Sequence, residues 1–226
     1  MRHIGMLIFP QMTQLDMTGP YEVLARLPNS KVDIVAKSLD PVMTERGLQI
    51  VPTVTYESCP SLDVIIVAGG PGQQELMEDE TTLAFLRKQA ESAKYITSVC
   101  TGSLVLGAAG LLKGRRATSH WNALEHLKLL GAIPVAEKVV MDGNIVTGAG
   151  VTSGIDFALT LAAILEGEQA AREIQLQIEY DPEPPFDVGS PKKAARATVD
   201  ELRARGRELS EARKATAARV GKRLGV

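Results

Sequence analysis

The sequence predicts an α/β fold: a doubly wound, mostly parallel sheet with helices on both faces. Three observations predict it. Short β-branched runs alternate with helix-like stretches along the chain. The strongest run, Asp63-Val64-Ile65-Ile66-Val67-Ala68, is continuous rather than alternating and ends in Gly69-Gly70-Pro71-Gly72. Finally, Tyr95-Ile96-Thr97-Ser98-Val99 passes into a helix-like stretch through a single cysteine, Cys100. Continuous apolar runs bounded by glycine and flanked by helices belong to parallel strands buried on both faces. Such sheets bind ligands beyond the carboxyl ends of their strands, where Gly69-Gly70 and Cys100 both fall.

The elements follow in order. Residues 4–9 read as a short buried strand, after which Gly19-Pro20 opens a helix through residues 21–25. Residues 31–36 and 63–68 read as the next strands, and a helix over about 79–92 carries Leu83, Leu86 and Ala90 on one stripe. Strand 95–99, an elbow helix over 101–109 and a helical stretch near 122–130 come next. Residues 139–141 and 144–147, joined through Asp142-Gly143, read as a hairpin with a type I′ turn. Two more helices fit residues 152–165 and 169–179.

Asp181-Pro182-Glu183-Pro184-Pro185-Phe186 then breaks the pattern and divides the chain. The expected organisation is an α/β body over 1–188 and a basic helical tail over 189–226. From Pro191 onward there are 11 Lys and Arg against 4 Asp and Glu, whereas the rest of the chain has 14 against 23. Val199, Leu202, Leu209, Val220 and Leu224 are spaced for a helix. A nucleic-acid arm is one reading. The other is a charged helix packed on the acidic body or on a second subunit, and the opposite charges favour it.

With 226 residues, 45% apolar and 23% charged, the chain is an ordinary globular protein large enough for one sizeable core. A net charge of −2 gives no pull toward nucleic acid or anionic membrane. No apolar run approaches the roughly 20 residues that span a bilayer. The N-terminus enters a strand pattern at once, so no signal peptide is expected. Two cysteines make no disulfide framework and fit a reducing cytoplasm. The three histidines, His3, His120 and His126, show no metal-ligand spacing with them, so no metal is expected.

Cys100 carries the chemistry. A residue between strand and helix has a strained backbone and a side chain pushed into the open, and a helix N-terminus under the sulfur favours thiolate. The bland alternative is a buried small hydrophobe. The strand before Cys100 and Thr101-Gly102-Ser103 after it favour a nucleophile. Cys59, in a loop between Ser58 and Pro60, reads as structural.

Gly69-Gly70 matches neither the P-loop nor the GxGxxG pattern. An oxyanion site is the better use, with the N–H groups of Gly70 and Thr101 converging beside the sulfur. A tight turn needing positive φ is compatible with it. Asp16 reads either as a helix cap or as a buried proton carrier for the thiol, and Glu22 could reach the same space. His120 raises a Cys/His dyad, but lining a pocket with Trp121 is the favoured reading. Thr152 lies in the small-residue loop 146–154, which can floor that pocket.

At these residues the chain resembles the ThiJ/PfpI superfamily, of the glutamine amidotransferase-like or flavodoxin-like fold. The resemblance spans about residues 1–185. It rests on Leu15-Asp16-Met17-Thr18-Gly19-Pro20, Ala68-Gly69-Gly70-Pro71-Gly72, Ser98-Val99-Cys100-Thr101-Gly102-Ser103, Ala117-Thr118-Ser119-His120-Trp121 and the run from Thr147 to Asp156. Within it the chain is most similar to the isocyanide hydratase branch, including Glu179-Tyr180-Asp181-Pro182 and an extended C-terminal helix.

That resemblance implies hydration of an isocyanide to an N-formamide with Cys100 as nucleophile. Asp16 is then the acid/base and Thr101 its orienting neighbour. It also implies a homodimer and no cofactor. Thr101 stands where protease-like members carry histidine, and deglycase-like members use a glutamate where this chain offers Asp16. Regulators with similar blocks carry a DNA-binding domain, for which the 36 residues after Ser190 are too few. The alternatives are a glyoxalase- or deglycase-like enzyme acting on α-oxoaldehydes, or a thiol redox sensor.

Overall fold

In the computed structural model, which describes residues 1–226, the β-branched runs line up as neighbours in one sheet. In chain order the strands are β1 (Arg2–Leu7), β2 (Ser30–Ala36), the short pair β3 (Val42–Met43) and β4 (Gln49–Ile50), then β5 (Val54–Thr55) and β6 (Val64–Val67). β7 (Tyr95–Val99), β8 (Arg116–Ala117), β9 (Ile133–Pro134), β10 (Val139–Asp142) and β11 (Ile145–Gly148) follow. The seven-stranded sheet runs β10-β11-β7-β6-β1-β2-β5, parallel at every pairing except β10 with β11. The helices are α1 (Leu15–Leu24), α2 (Gln73–Leu76), α3 (Glu80–Ala90), α4 (Gly102–Ala108), α5 (Ser153–Glu166), α6 (Glu168–Gln177), α7 (Arg196–Arg205) and α8 (Arg207–Leu224). A 3₁₀ helix covers Leu124–Leu130.

Two groups of helices cover the sheet: α1 with α5 and α6, and α4 with α2, α3, the 3₁₀ helix and α8. All four residues of β6 are buried, which explains its unbroken apolar run. Each buried Val or Ile contributes about 1.5–3 kcal/mol. Strand β1 has β2 on one side and β6 on the other, so the chain changes winding direction there. The loop from β1 to α1, the glycines after β6 and the cysteine after β7 therefore meet at one sheet edge.

Two local expectations need correction. Helix α1 begins at Leu15, before Gly19-Pro20, and holds Pro20 inside it. The ring cannot donate to the Asp16 carbonyl, but the turn before it closes through the Thr18 N–H on Gln14, 2.9 Å away. Asp16 is consequently a first-turn residue that makes no cap. In the β10–β11 hairpin, Asp142 pairs with Ile145, so Gly143 and Asn144 are the central residues. Only Gly143 has a positive φ, 61°, which is the sign pattern of a type II′ turn, not type I′.

After an irregular stretch from Asp181, α7 and α8 return to the body. The buried stripe of α8 is Arg213, Thr216, Ala217, Val220 and Gly221. Leu202, expected on the apolar stripe, is exposed. Arg219 and Arg223 both reach Glu78 beyond α2, joining basic tail to acidic body. Gly221 lets the helix approach the 3₁₀ helix closely: a Cβ there would lie 1.9 Å from the Leu129 carbonyl oxygen. Gly221→Ala should therefore lower stability by about 1–3 kcal/mol, the usual cost of overpacking. Denaturant unfolding would check it; an unchanged midpoint would mean that α8 does not hold this contact.

Candidate active site

Cys100 occupies the turn between β7 and α4 at φ 57°, a left-handed conformation rare for a residue with a side chain. Such a conformation costs on the order of 1–3 kcal/mol and persists only where the surroundings over-determine it. Here they do. The Cys100 N–H donates to the carbonyls of Gly148 (3.0 Å) and Ala149 (2.9 Å). Its carbonyl accepts from the hydroxyls of Ser103 (3.2 Å) and Ser119 (3.1 Å). The elbow does not push the residue into the open, however: Cys100 is 5% exposed.

Asp16 enters from the first turn of α1 and is fully buried. Its Oδ2 accepts the Gly69 N–H at 2.9 Å, while Oδ1 makes no hydrogen bond. The carboxyl and the Cys100 thiol share this buried space and act on each other's ionisation. Gly69 has no room for a side chain, because a Cβ would lie 2.5 Å from the Thr101 nitrogen and 2.8 Å from Asp16 Oδ2. Gly70, at φ 130°, does meet the demand for positive φ.

The expected oxyanion pair is only half present. The Gly70 N–H donates to Thr101 Oγ1 at 3.0 Å and so does not face the sulfur. The Thr101 N–H does point at it. The Thr101 hydroxyl accordingly holds the Gly70 loop, and Asp16 is oriented by the Gly69 N–H.

Burial and the mutual repulsion of two potential anions control the charges. Burial pushes the Asp16 carboxyl up to about 7, with Glu45 adding repulsion; the Gly69 N–H and the Cys100 thiol pull it back. Burial also pushes the Cys100 thiol well up, and the Asp16 charge adds to that. The Thr101 N–H and the charge of Arg213 act in the opposite direction. Desolvation at this buried sulfur thus opposes the expected pull of the helix N-terminus toward thiolate. Both groups are held toward their protonated forms, the carboxyl with a pKa of about 7.

The remaining candidates separate. His120 is half-buried; its Nδ1 accepts the Asn122 N–H at 3.3 Å, and its ring lies 5.5 Å from that of Trp121. A Cβ on Gly150 would come within 3.0 Å of it, so His120 lies against the loop that carries the Cys100 backbone. Burial, reinforced by Arg213, pulls its pKa down and keeps the ring neutral. Thr152 is exposed at the start of α5 and its hydroxyl makes no hydrogen bond; the elbow rests on Gly148 and Ala149 instead. Glu22 is exposed and pairs with Arg26 at 2.6 Å, away from Asp16. Burial raises the Cys59 thiol to about 11, as suits an inert cysteine. A polar cleft of about 500 Å³ between α7, α8 and Asn122 contains neither Cys100 nor Asp16.

Sequence reasoning missed Ser119 and Ser103, which hold the Cys100 carbonyl, and Arg213, whose Nη2 donates to the Gly70 carbonyl at 3.2 Å. Helical spacing held a signal for the last: Arg213 shares a stripe with Ala217 and Val220, four and seven residues on. Counted as one more tail charge, it left no trace.

Comparison with known proteins identifies the family. The chain is 61% identical over 202 residues to an isonitrile hydratase of Pseudomonas putida, with 89% of each chain covered. A crystal structure of a ThiJ/PfpI family protein from Pseudomonas syringae superposes with a TM-score of 0.94 at 47% identity, covering 96% of this chain and 90% of that one. A glutathione-independent glyoxalase of Caenorhabditis elegans is 30% identical, over 61% of this chain and 74% of the relative. The model of the DJ-1/PfpI family matches residues 2–164, a span running from β1 through the cysteine elbow and into α5. The chain belongs to the DJ-1/PfpI family.

Proposed function

We propose that the protein hydrates an isocyanide, R–N≡C, to the N-formamide R–NH–CHO, with Cys100 as nucleophile and Asp16 as the proton carrier. The observation that carries this reading is the buried Cys100–Asp16 pair with its carboxyl held near neutrality. A carboxyl near the working pH can both accept and return a proton. The similarity to the Pseudomonas putida isonitrile hydratase supports the choice of substrate.

The steps balance without a redox partner. Asp16 takes the thiol proton as sulfur attacks the terminal carbon, then delivers it to that carbon, leaving a thioimidate, Cys–S–CH=N–R. Asp16 next accepts a proton from water as the hydroxide adds to the carbon, and passes that proton to nitrogen. The carbon–sulfur bond then breaks, the carbonyl forms, and the hydroxyl proton returns through Asp16 to sulfur. The Thr101 N–H steadies the anionic sulfur as it forms and leaves. Thr101 Oγ1 and Gly69 hold Gly70 and Asp16 in register, while His120 and Trp121 line the approach. The setting we propose is the cytoplasm, with the chain as a homodimer and a small molecule as its substrate.

Purified protein incubated with an aryl isocyanide should release the formamide with no added metal or organic cofactor. Consumption of methylglyoxal in its place would establish glyoxalase-like chemistry instead. Inertness to both, with Cys100 readily oxidised to sulfenic acid, would leave a redox sensor.

A further inference from the structure

Helix α8 places a buried cation beside the elbow that forms no salt bridge. Arg213 is 7% exposed and has no carboxylate within 4.0 Å. Its Nη2 holds the Gly70 carbonyl at 3.2 Å, and its buried Nε has no partner. From Gly70 the contacts continue to Thr101 Oγ1, and the Thr101 N–H faces the Cys100 sulfur. A desolvated guanidinium without an anion is costly. A fold tolerates one where an anion forms during function.

The surroundings identify that anion. Glu45 is within electrostatic reach of Arg213 but forms no salt bridge with it, and its carboxylate accepts from the Thr13 hydroxyl at 2.8 Å. Asp16 is held toward its neutral form. His120 and His126 face the same charge and are neutral, while Lys214 and Glu211, on α8 itself, act on His126. Among the groups that act on Arg213, Cys100 comes before Glu45, and only the sulfur gains its charge as the reaction proceeds.

We propose that Arg213 is a positioning residue that provides the counter-charge for the Cys100 thiolate, so that the C-terminal helix completes the active site. This proposal rests on the reading of Cys100 as a nucleophile. It goes further in assigning the tail an electrostatic part in the reaction, beyond packing on the body. The tail's buried cation and the body's buried thiol have opposite unmet needs in the resting state, and the attack step meets both.

The test uses the full chain carrying Cys59→Ala, so that Cys100 is its only thiol. The alkylation rate with iodoacetamide is followed against pH, alongside thiolate ultraviolet absorbance. R213M should fold, since an apolar side chain of similar length replaces an unpaired charge. Its alkylation rate at a given pH should fall about tenfold, one unit of thiol titration. R213K should recover most of that loss. In the hydration assay R213M should lower kcat with little change in KM. R213Q carries the same test if the methionine variant does not fold. Titration curves of R213M or R213Q that overlay the parent would overturn the proposal, even if melting temperatures moved. Absence of formamide formation in the parent would instead overturn the isocyanide reading, with the thiol titration still interpretable.

Discussion

Cys100→Ala should reduce isocyanide hydration by at least about four orders of magnitude in kcat/KM, since removing the nucleophile of a covalent mechanism leaves only binding and electrostatics. Alanine keeps the Cβ and the backbone contacts that hold φ at 57°, so the fold should survive. Mass spectrometry of the wild type under turnover should find an adduct of protein plus isocyanide on Cys100, absent in the variant. Cys59→Ala should keep full activity, because that thiol sits in the loop between β5 and β6, outside the elbow, and burial raises its pKa to about 11. Formamide formation surviving in Cys100→Ala would sink the covalent mechanism.

Asp16→Asn should act in opposite directions on rate and on stability. The amide can still accept the Gly69 N–H but cannot carry a proton, so hydration should fall by about 10²–10⁴. Stability should rise. The folded-state pKa of Asp16 lies near 7 against 3.8 for an unperturbed aspartate, so between roughly pH 4 and 7 the folded protein retains a proton that the unfolded chain releases. Stability therefore falls as pH rises through that window, and above it the buried carboxylate costs up to about 4 kcal/mol. The neutral amide removes that cost, so the variant should unfold at higher denaturant than wild type at pH 8 and at a similar midpoint near pH 4. The wild-type kcat/KM should rise through about pH 7 as the carboxyl ionises to accept the thiol proton, a limb missing in the variant. A stability difference that does not change with pH would refute the buried-carboxylate account, and full activity in Asp16→Asn would refute the acid/base role alone.

Much of this architecture is legible in the residues. β6 announces itself because four consecutive buried positions in a parallel sheet require an unbroken β-branched run, and glycines must follow where Asp16 and Thr101 crowd the backbone. The elbow is legible because strand and helix patterns meet at one residue. The start of α1 is not. Pro20 is a strong local signal for a helix start, but the helix begins five residues earlier, where the tertiary fold requires Asp16 under Gly69. The type of the hairpin turn is equally hidden, because the strand register sets which residues are central, and register is a property of the pairing.

The site divides along the same line. Which residue types meet at the sheet edge follows from chain order and the doubly wound pattern, so Cys100, Asp16, Thr101, Gly69 and Gly70 can be named without coordinates. Their charges cannot. A helix N-terminus beside a cysteine suggests a thiolate when read locally, and only the packed structure shows a sulfur and a carboxyl sharing one desolvated space, with burial raising both pKa values. Arg213 lies over a hundred residues from Cys100 in sequence, and its placement depends on how α8 seats on the 3₁₀ helix. By itself, then, the sequence determined the fold class and singled out Cys100 and Asp16 as the proposed nucleophile and its carboxyl partner, because periodicity and local junctions are written in neighbouring residues. Proton positions, the divided use of the Gly70 and Thr101 amides, and the recruitment of the tail were decided by tertiary structure alone, because desolvation and long-range charge depend on everything packed around an atom.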